Sequence, residues 1–145
     1  MAQADWLQML ANLQELHRLS RTLLVHEKKQ TLTNSEQELL LLLYMYPDDN
    51  TPLALSRRSG MKKEAVSRCI RQLLEKQCVE RNKHPTDERS YVLSLSETGN
   101  AELQKNYRMI LQPLYELRRQ MGPSFDSLFS LIANANEQYN VLNEK

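Results

Sequence analysis

The stretch that decides the fold is TPLALSRRSGMKKEAVSRCIRQLLEKQCVERNKHPTDERSYVLSLSETG, residues 51–99. It opens with Thr51 and Pro52, a hydroxyl residue followed by proline, which together favour the start of a helix. Gly60 ends that helix early. A second helix begins near Lys62 or Lys63, because apolar residues then recur every three or four positions. Two helices joined by so short a turn predict a helix-turn-helix.

After the second helix the periodicity changes from that of a helix to that of a strand. Residues 78–81 are predicted to form a short extended segment. In residues 90–95 the side chains alternate in polarity, so that Tyr91, Leu93 and Leu95 share one side. The polar segment between them contains a proline. A hairpin with a long charged tip that directly follows a helix-turn-helix is predicted to be a wing.

Upstream of this stretch, apolar residues at spacings of three and four predict an amphipathic helix from Asp5 to about Lys29. Thr33 and Glu36 have the spacing of a capping box, which predicts the start of the next helix. The leucines at 39–43 make that helix apolar on every side. We therefore expect it to be deeply buried.

Downstream, Ser96 caps a long helix that Pro113 is expected to kink. Gly122 and the proline after it end this helix. A last helix follows, with an apolar stripe over residues 125–142. The predicted fold class is mostly α with a small β-wing, in a single domain over residues 1–145 whose residues 32–99 form a winged helix-turn-helix lobe.

The composition is that of an ordinary soluble protein, with 41% hydrophobic and 26% charged residues. Residues 57–89 hold ten Lys or Arg and five Asp or Glu, whereas the other 112 residues hold nine and thirteen. A basic centre between acidic arms indicates a face for a polyanion, although a merely solvated face fits equally well. No apolar run is long enough to span a bilayer, and no signal peptide is recognised, so we expect a cytoplasmic protein.

Residues 87–99, DERSYVLSLSETG, resemble the wing signature of the MarR family of bacterial transcription regulators. That signature has Asp and Arg two apart, then an apolar strand ending in Leu and a hydroxyl residue, and Gly three positions later. Residues 51–61 and 65–68 resemble the helix-turn-helix of the same family. The resemblance covers about residues 32–99, and it implies a homodimeric repressor that binds double-stranded DNA at a pseudo-palindromic operator.

The sequence departs from the family pattern at three positions. Lys62 stands where a small hydroxyl residue is usual, so the second helix of the motif is expected to lack its usual cap. Gln77 stands where Gly follows this helix, which forces glutamine toward a left-handed conformation. Glu64 places an acid among the expected DNA-reading positions.

The second helix of the motif carries most of the DNA-binding residues that the resemblance implies. Arg68 and Arg71 project to one side, where either could hold guanine O6 and N7 or clamp a phosphate. Glu64 either accepts from cytosine N4 or is only a surface acid. The further candidates are phosphate contacts and one small residue that lets the DNA approach: Thr51, Lys62, Lys63 and Ser67.

The wing supplies the other candidates. The family's wing arginine, here Arg89, enters the minor groove, where a narrow A·T-rich stretch concentrates negative potential. Asp87 would orient it, or the two would form a pair that only stabilises the hairpin. Lys83 and His84 are expected to contact the DNA backbone, or to be solvated tip residues.

The outer helices, residues 1–31 and 100–145, are interpreted as dimerisation helices. Their apolar stripes are too extensive to pack on a small winged-helix centre, and the resemblance implies that they interleave with those of a second subunit. Family members often bind small effectors between these helices and the DNA-binding lobe. Candidate pocket residues are His17, Tyr44, Tyr46, Tyr107 and Met109, which also fit ordinary core or interface positions.

The sequence also allows other functions. Cys69 and Cys78 could form a thiol-based redox switch, but their positions favour buried structural thiols. A winged helix could also serve as a protein-docking module without specific DNA readout. No metal-ligand spacing, phosphate-binding glycine loop or nucleophile motif occurs, so we expect no metal, no cofactor and no enzyme activity.

Overall fold

The computed structural model describes residues 2–24 and 31–143, with side chains from 5–24 and 31–140. The elements are α1 (Ala2–Leu23), α2 (Asn34–Met45), α3 (Pro52–Ser59), α4 (Lys63–Glu75), β1 (Val79–Lys83), β2 (Tyr91–Leu95), α5 (Glu97–Met121) and α6 (Ser124–Asn143). Two compact units result, one of residues 1–23 and 109–145 and one of residues 24–108. The mostly helical fold with one small hairpin is as predicted, whereas α1 ends before Lys29 and residues 25–30 lie outside the described part.

The core of the second unit is built from leucines of α2 and the apolar face of α4. Leu39, Leu40 and Leu43 are buried, and Leu41 and Leu42 pack against the same cluster. The predicted burial of α2 is therefore confirmed. The buried face of α4 supplies Val66, Cys69, Ile70 and Leu73. From the rest of this unit the core takes Leu32, Leu55, Cys78, Val79, Leu93 and Leu103.

An ion pair between the buried Glu36 and the exposed Lys76 fastens the first turn of α2 to the end of α4. Glu36 is 1% exposed, and its Oε2 accepts from Lys76 Nζ at 2.6 Å. Lys76 also donates to the carbonyl of Thr31 at 3.0 Å, and the Thr31 hydroxyl donates to Glu102 on α5 at 3.2 Å. Thr33 Oγ1 accepts from the backbone N–H of Glu36, as predicted for the cap. The carboxylate of Glu36, in the first turn of α2, thus stabilises the contact of α2 with the end of α4.

The two helices of the helix-turn-helix begin in different ways. Thr51 caps α3, accepting from the backbone N–H of Ala54 at 3.1 Å, and Gly60 ends it in the left-handed region at φ 75°. Lys62 precedes α4 and makes no side-chain capping bond. The missing cap expected at Lys62 is confirmed, and it leaves backbone N–H groups free at the start of α4.

The end of α4 is a Schellman motif with glutamine in the position that glycine prefers. Gln77 has φ 61°, its N–H donates to Leu74 O, and the N–H of Cys78 donates to Leu73 O at 2.9 Å. The left-handed conformation predicted for Gln77 is confirmed. Because a Cβ is strained in this region, Gln77 costs stability that glycine would not.

The wing is an antiparallel hairpin in which β1 pairs with β2 from Val79↔Leu95 to Lys83↔Tyr91. Leu93 is buried, and Tyr91 and Leu95 pack against the core, which confirms the predicted inward side. The hairpin is joined to α5 through Ser96, whose Oγ accepts from the N–H of Gly99 at 2.9 Å. A Cβ on Gly99 would lie 1.9 Å from the carbonyl oxygen of Cys78, so only glycine fits there.

The helices of the first unit show few buried side chains. On α1 the exposed apolar residues are Trp6, Leu7, Met9, Leu10, Leu13 and Leu16, each between 48% and 62% exposed. Leu131 and Tyr139 on α6 are 67% and 66% exposed. Pro113 lies inside α5, which is assigned as one helix through it. Gly122 ends α5 at φ 61°, as predicted.

Replacing Gln77 with glycine should stabilise the fold. Gln77→Gly removes the strain of a Cβ in the left-handed region and is expected to raise the free energy of unfolding by about 1 kcal/mol. Urea unfolding at one fixed protein concentration measures it. The control Glu75→Gly, in the helical last turn of α4, should lower the free energy by about 1 kcal/mol. Equal losses in both variants would contradict the assigned strain.

Candidate nucleic-acid interface

A groove of about 490 Å³ lies between the starts of α3 and α4 and the wing. Six of the predicted DNA-binding residues line it, together with Pro52, Leu53, Ser90 and Tyr91: Thr51, Lys63, Ser67, His84, Asp87 and Arg89. Three chain segments far apart in sequence therefore meet at one concave surface. Its lining includes two cationic side chains, hydroxyl groups and the edge of the wing.

The other predicted residues of the helix-turn-helix lie on the outward face of α4. Lys62, Glu64, Arg68 and Arg71 are all exposed, while the opposite face of the same helix is buried in the core. Arg68 and Arg71 stand one turn apart on the solvent side. A rigidly seated helix thus presents two arginines, two lysines and one acid to the outside.

The wing tip is shaped by side chains that bond to its own backbone. Asp87 Oδ1 accepts from the backbone N–H of Arg89 at 3.0 Å. His84 Nδ1 accepts from the backbone N–H of Asp87 at 3.0 Å and from that of Thr86 at 3.2 Å. These bonds require the lone pair on Nδ1, so the proton of a neutral His84 is on Nε2, which is left to donate elsewhere.

Asp87 therefore fixes Arg89 through the backbone, by setting the turn that carries it. Among the described residues the one ion pair is that of Lys76 with Glu36, so the guanidinium of Arg89 has no carboxylate partner there. Asp87 is expected to orient Arg89, and its described bond is to the backbone of that residue. The turn fixes the Cα of Arg89 while its exposed side chain stays available to a ligand.

Sequence reasoning missed a cation on the inner side of the wing. The guanidinium of Arg81 lies 3.8 Å from the centroid of the Tyr91 ring, across the hairpin. Arg81, Lys83 and Tyr91 have the same pleat parity as the buried Val79 and Leu93, so they face the side of the sheet that bears the groove. The signal in the sequence is the period of two in β1, which places Arg81 and Lys83 on one face.

The five candidate pocket residues are divided between the two units. His17 and Met109 belong to the first unit, and Tyr44, Tyr46 and Tyr107 to the second. Tyr46 contacts Arg58, whose guanidinium lies 4.8 Å from its ring centroid, and Tyr107 Oη accepts from Arg108 Nε at 3.2 Å. A common ligand pocket for these residues stays a prediction.

Both cysteines are buried. Cys69 is 7% and Cys78 is 2% exposed, and both thiols are free. Desolvation by burial raises the pKa of each thiol above its ordinary value, and Glu36 acts in the same direction on Cys69, as Glu102 does on Cys78. A raised pKa keeps the thiol protonated and unreactive near neutral pH.

The described residues hold neither a cluster of metal ligands nor a membrane-spanning helix. Within residues 2–24 and 31–143, no group of three or more His, Cys, Asp or Glu is arranged to hold a metal ion. In the same residues no helix has the length and apolar character needed to cross a membrane.

Comparisons with known proteins agree on the fold. Residues 32–91 match the MarR family model, and no curated protein matches by sequence. One similar solved structure is the M. tuberculosis regulator MOSR in complex with DNA, with 20% identity, a TM-score of 0.64, and coverage of 96% of this chain and 97% of that one. A mutant of E. coli MarR complexed with operator DNA has 18% identity, a TM-score of 0.62, and coverage of 90% and 91%. PcaV from Streptomyces coelicolor with its natural ligand has 17% identity, a TM-score of 0.65, and coverage of 89% of each chain. At these identities the likeness establishes the shared winged-helix fold.

The buried thiols should react slowly in the folded protein. Because their pKa is raised, we expect alkylation by iodoacetamide at pH 7.5 to be at least about tenfold slower than in denaturant. Because the pKa of the thiol is higher in the folded chain than in the unfolded one, ionisation of the thiol favours the unfolded chain. The free energy of unfolding should therefore fall as the pH rises past about 9, and this fall should be smaller in Cys69→Ser.

A new cysteine on an exposed position of α5 supplies the matched control. Gln104→Cys should be labelled rapidly in the folded chain, since residue 104 is exposed. Fast labelling of Cys69 or Cys78 at neutral pH, at a rate like that of the new cysteine, would restore the redox-switch hypothesis.

Proposed function

Because residues 32–91 of this chain form a MarR-family domain, we propose that the protein is a transcription regulator that binds a specific double-stranded DNA site as a homodimer. The observation that carries the proposal is the groove, in which the starts of α3 and α4 and the wing bring cations and hydroxyl groups to one concave surface. A regulator of this kind acts on the chromosome, so we place it in the bacterial cytoplasm.

In the proposed complex α4 enters the major groove. The helix is held by its buried face, so its outward residues move little relative to the lobe. Arg68 and Arg71 are assigned to base edges, where a guanidinium pairs bidentately with guanine O6 and N7. Glu64 is assigned to a cytosine, whose N4 amino group can donate to its carboxylate.

Phosphates are assigned to the edges of the groove. Lys62 and Lys63 stand beside the uncapped N-terminus of α4, where the N–H groups and the helix dipole also attract an anion. The hydroxyl of Thr51 accepts from Ala54 and keeps its own hydrogen for a phosphate oxygen. Ser67 is small enough to let the DNA backbone approach.

The wing is assigned to the adjacent minor groove. Arg89, on a turn fixed by Asp87, inserts into a narrow A·T-rich stretch. Lys83 contacts the DNA backbone, and His84 donates to it from Nε2. Arg81 joins these residues, because stacking on Tyr91 holds its face while leaving its in-plane N–H donors free.

The homodimer is supported by the exposed apolar side chains of α1 and α6. A stripe that includes Trp6, Leu10 and Leu13, each about half exposed, is unusual for a monomer in water. Burial of such side chains contributes about 25 cal/mol per Å². A second copy of the same helices matches them by symmetry, and a twofold dimer presents two α4 helices to major grooves about 34–36 Å apart.

An effector completes the proposal. The similar structure of PcaV contains its natural ligand, and this chain has aromatic and sulfur side chains at His17, Tyr44, Tyr46, Tyr107 and Met109 that could receive a small organic molecule. Binding there would change the spacing of the two α4 helices, and with it the affinity for the operator.

Selection from random duplexes at physiological salt tests the DNA-binding function. We expect enrichment of an inverted repeat whose half-sites lie about one helical turn apart. Arg68→Ala and Arg89→Ala should each weaken binding to it by about tenfold or more, because each removes a base or groove contact of about 1–3 kcal/mol.

Lys105→Ala is the matched control, since Lys105 is an exposed cation on α5 away from the groove. It should leave the affinity within about twofold, because a distant surface charge is largely screened. Weak binding without sequence preference, equal in the parent and both arginine variants, would instead support a protein-docking module.

Sedimentation equilibrium tests the dimer. The parent should sediment at about twice the 17.0 kDa of one chain, and Leu13→Glu should raise the dimer dissociation constant at least about tenfold by placing a charge in an apolar interface. Ala11→Glu makes the same change about half a turn around α1 and should have a small effect. A monomeric parent, or equal effects of both variants, would contradict the assigned interface.

A further inference from the structure

Asn50 is a fully buried polar residue in the loop between α2 and α3. It is 1% exposed, and both polar groups of its side chain have a hydrogen-bond partner. Its Nδ2 donates to the carbonyl of Tyr46, and its Oδ1 accepts from Arg58 Nη1 at 2.8 Å. Its backbone carbonyl accepts from the N–H of Leu93 at 2.9 Å. The side chain and the backbone carbonyl of this one residue therefore connect the end of α2, the body of α3 and the middle of β2.

Arg58 is held from two directions. While Nη1 donates to Asn50, the guanidinium carbon lies 4.8 Å from the ring centroid of Tyr46. A guanidinium fixed by both a hydrogen bond and a ring face has little rotational freedom left. Arg58 is itself exposed, so its constraint comes from these contacts and not from burial.

The loop that carries Asn50 needs such support. Its preceding residue, Asp49, has φ 63°, a left-handed conformation that is strained for a residue with a Cβ. The Asp49 carbonyl accepts from the N–H of Thr51 at 3.1 Å, so the chain turns sharply before the cap of α3. The side-chain bonds of Asn50 hold this turn and aim its carbonyl at Leu93.

The bond from Leu93 to Asn50 leaves the hairpin at the edge opposite to β1. Leu93 pairs with Arg81 on one side of β2 and donates to Asn50 on the other. Toward the tip, Tyr91 is two residues away and Arg89 is four. A shift of the loop therefore shifts the strand that leads into the wing tip.

We propose that Asn50 and Arg58 are positioning residues that set the placement of the wing relative to α4, so that Arg89 and Arg68 reach the DNA at the same time. The inference rests on the proposed function, because it assigns these residues to DNA binding without contact to DNA. A satisfied buried polar network specifies one arrangement where apolar packing alone tolerates several.

A double-mutant cycle with the wing arginine tests the inference on the full-length protein. The binding constant for the selected operator is measured for Asn50→Ala, Arg89→Ala and both together. We expect Asn50→Ala alone to weaken binding by about the same factor as Arg89→Ala, and the double variant to be less than about twofold weaker than either. Arg68→Ala, acting from α4, should keep its full factor in the Asn50→Ala protein.

A purely structural role would give a different result. Asn50→Ala would then lower only the folded fraction, and the wing of each folded molecule would still bind DNA normally. The factors by which Asn50→Ala and Arg89→Ala weaken binding would therefore multiply in the double variant. Multiplying factors would overturn the inference while leaving the proposed function intact. A parent that selects no duplex at all would overturn both.

Arg58 decides the question if Asn50→Ala does not fold. Arg58→Leu keeps the buried asparagine but removes its partner, and Arg58→Lys keeps the charge without the planar fork. We expect Arg58→Leu to show the same coupling with Arg89→Ala, with partial rescue in Arg58→Lys. Parental affinity in Arg58→Leu, or factors that multiply with Arg89→Ala, would overturn the inference.

Discussion

The backbone of Cys78 is the point at which α4, the wing and α5 are joined. Its N–H closes the Schellman end of α4 on Leu73 O, its carbonyl accepts from the N–H of Ser96 at 3.1 Å, and β1 begins at the next residue. The backbone of Gly99 lies against the same carbonyl, in space that no Cβ could share. Three functional elements thus diverge from a few atoms, so a small displacement here changes the direction of all three.

Much of this arrangement could be predicted from the sequence because it depends on local physical chemistry. Hydroxyl caps and glycine ends delimit α3, the periodicities separate α4 from the hairpin, and Gln77 stands at a position that only a left-handed residue can fill. Each signal uses residues within a few positions of one another. The same reasoning predicted which sides of α4 and of the wing are buried, and six of its candidate residues line one groove in the structure.

The parts that could not be predicted are contacts between residues far apart in sequence. Lys76 pairs with Glu36 across forty positions, and Arg81 stacks on Tyr91 across the hairpin. The partners of Asn50 follow from the loop conformation at Asp49, which no sequence pattern indicated. The sequence predicts that Asp87 orients Arg89 or pairs with it, and the described bond of Asp87 is to the backbone N–H of Arg89, because a carboxylate in a turn can accept from either the backbone or a side chain.

In the proposed function, the apolar faces of α1 and α6 link the affinity for DNA to the protein concentration. A monomer would leave side chains such as Trp6 and Leu131 at least half exposed, whereas the proposed dimer removes them from water. The free energy of dimerisation then becomes part of the free energy of binding a two-half-site operator. Once one lobe is bound, the other is held near its half-site at a high effective concentration. Each half-site contact can therefore remain modest, and a ligand that alters only the spacing between lobes changes the overall affinity without touching any residue that contacts DNA.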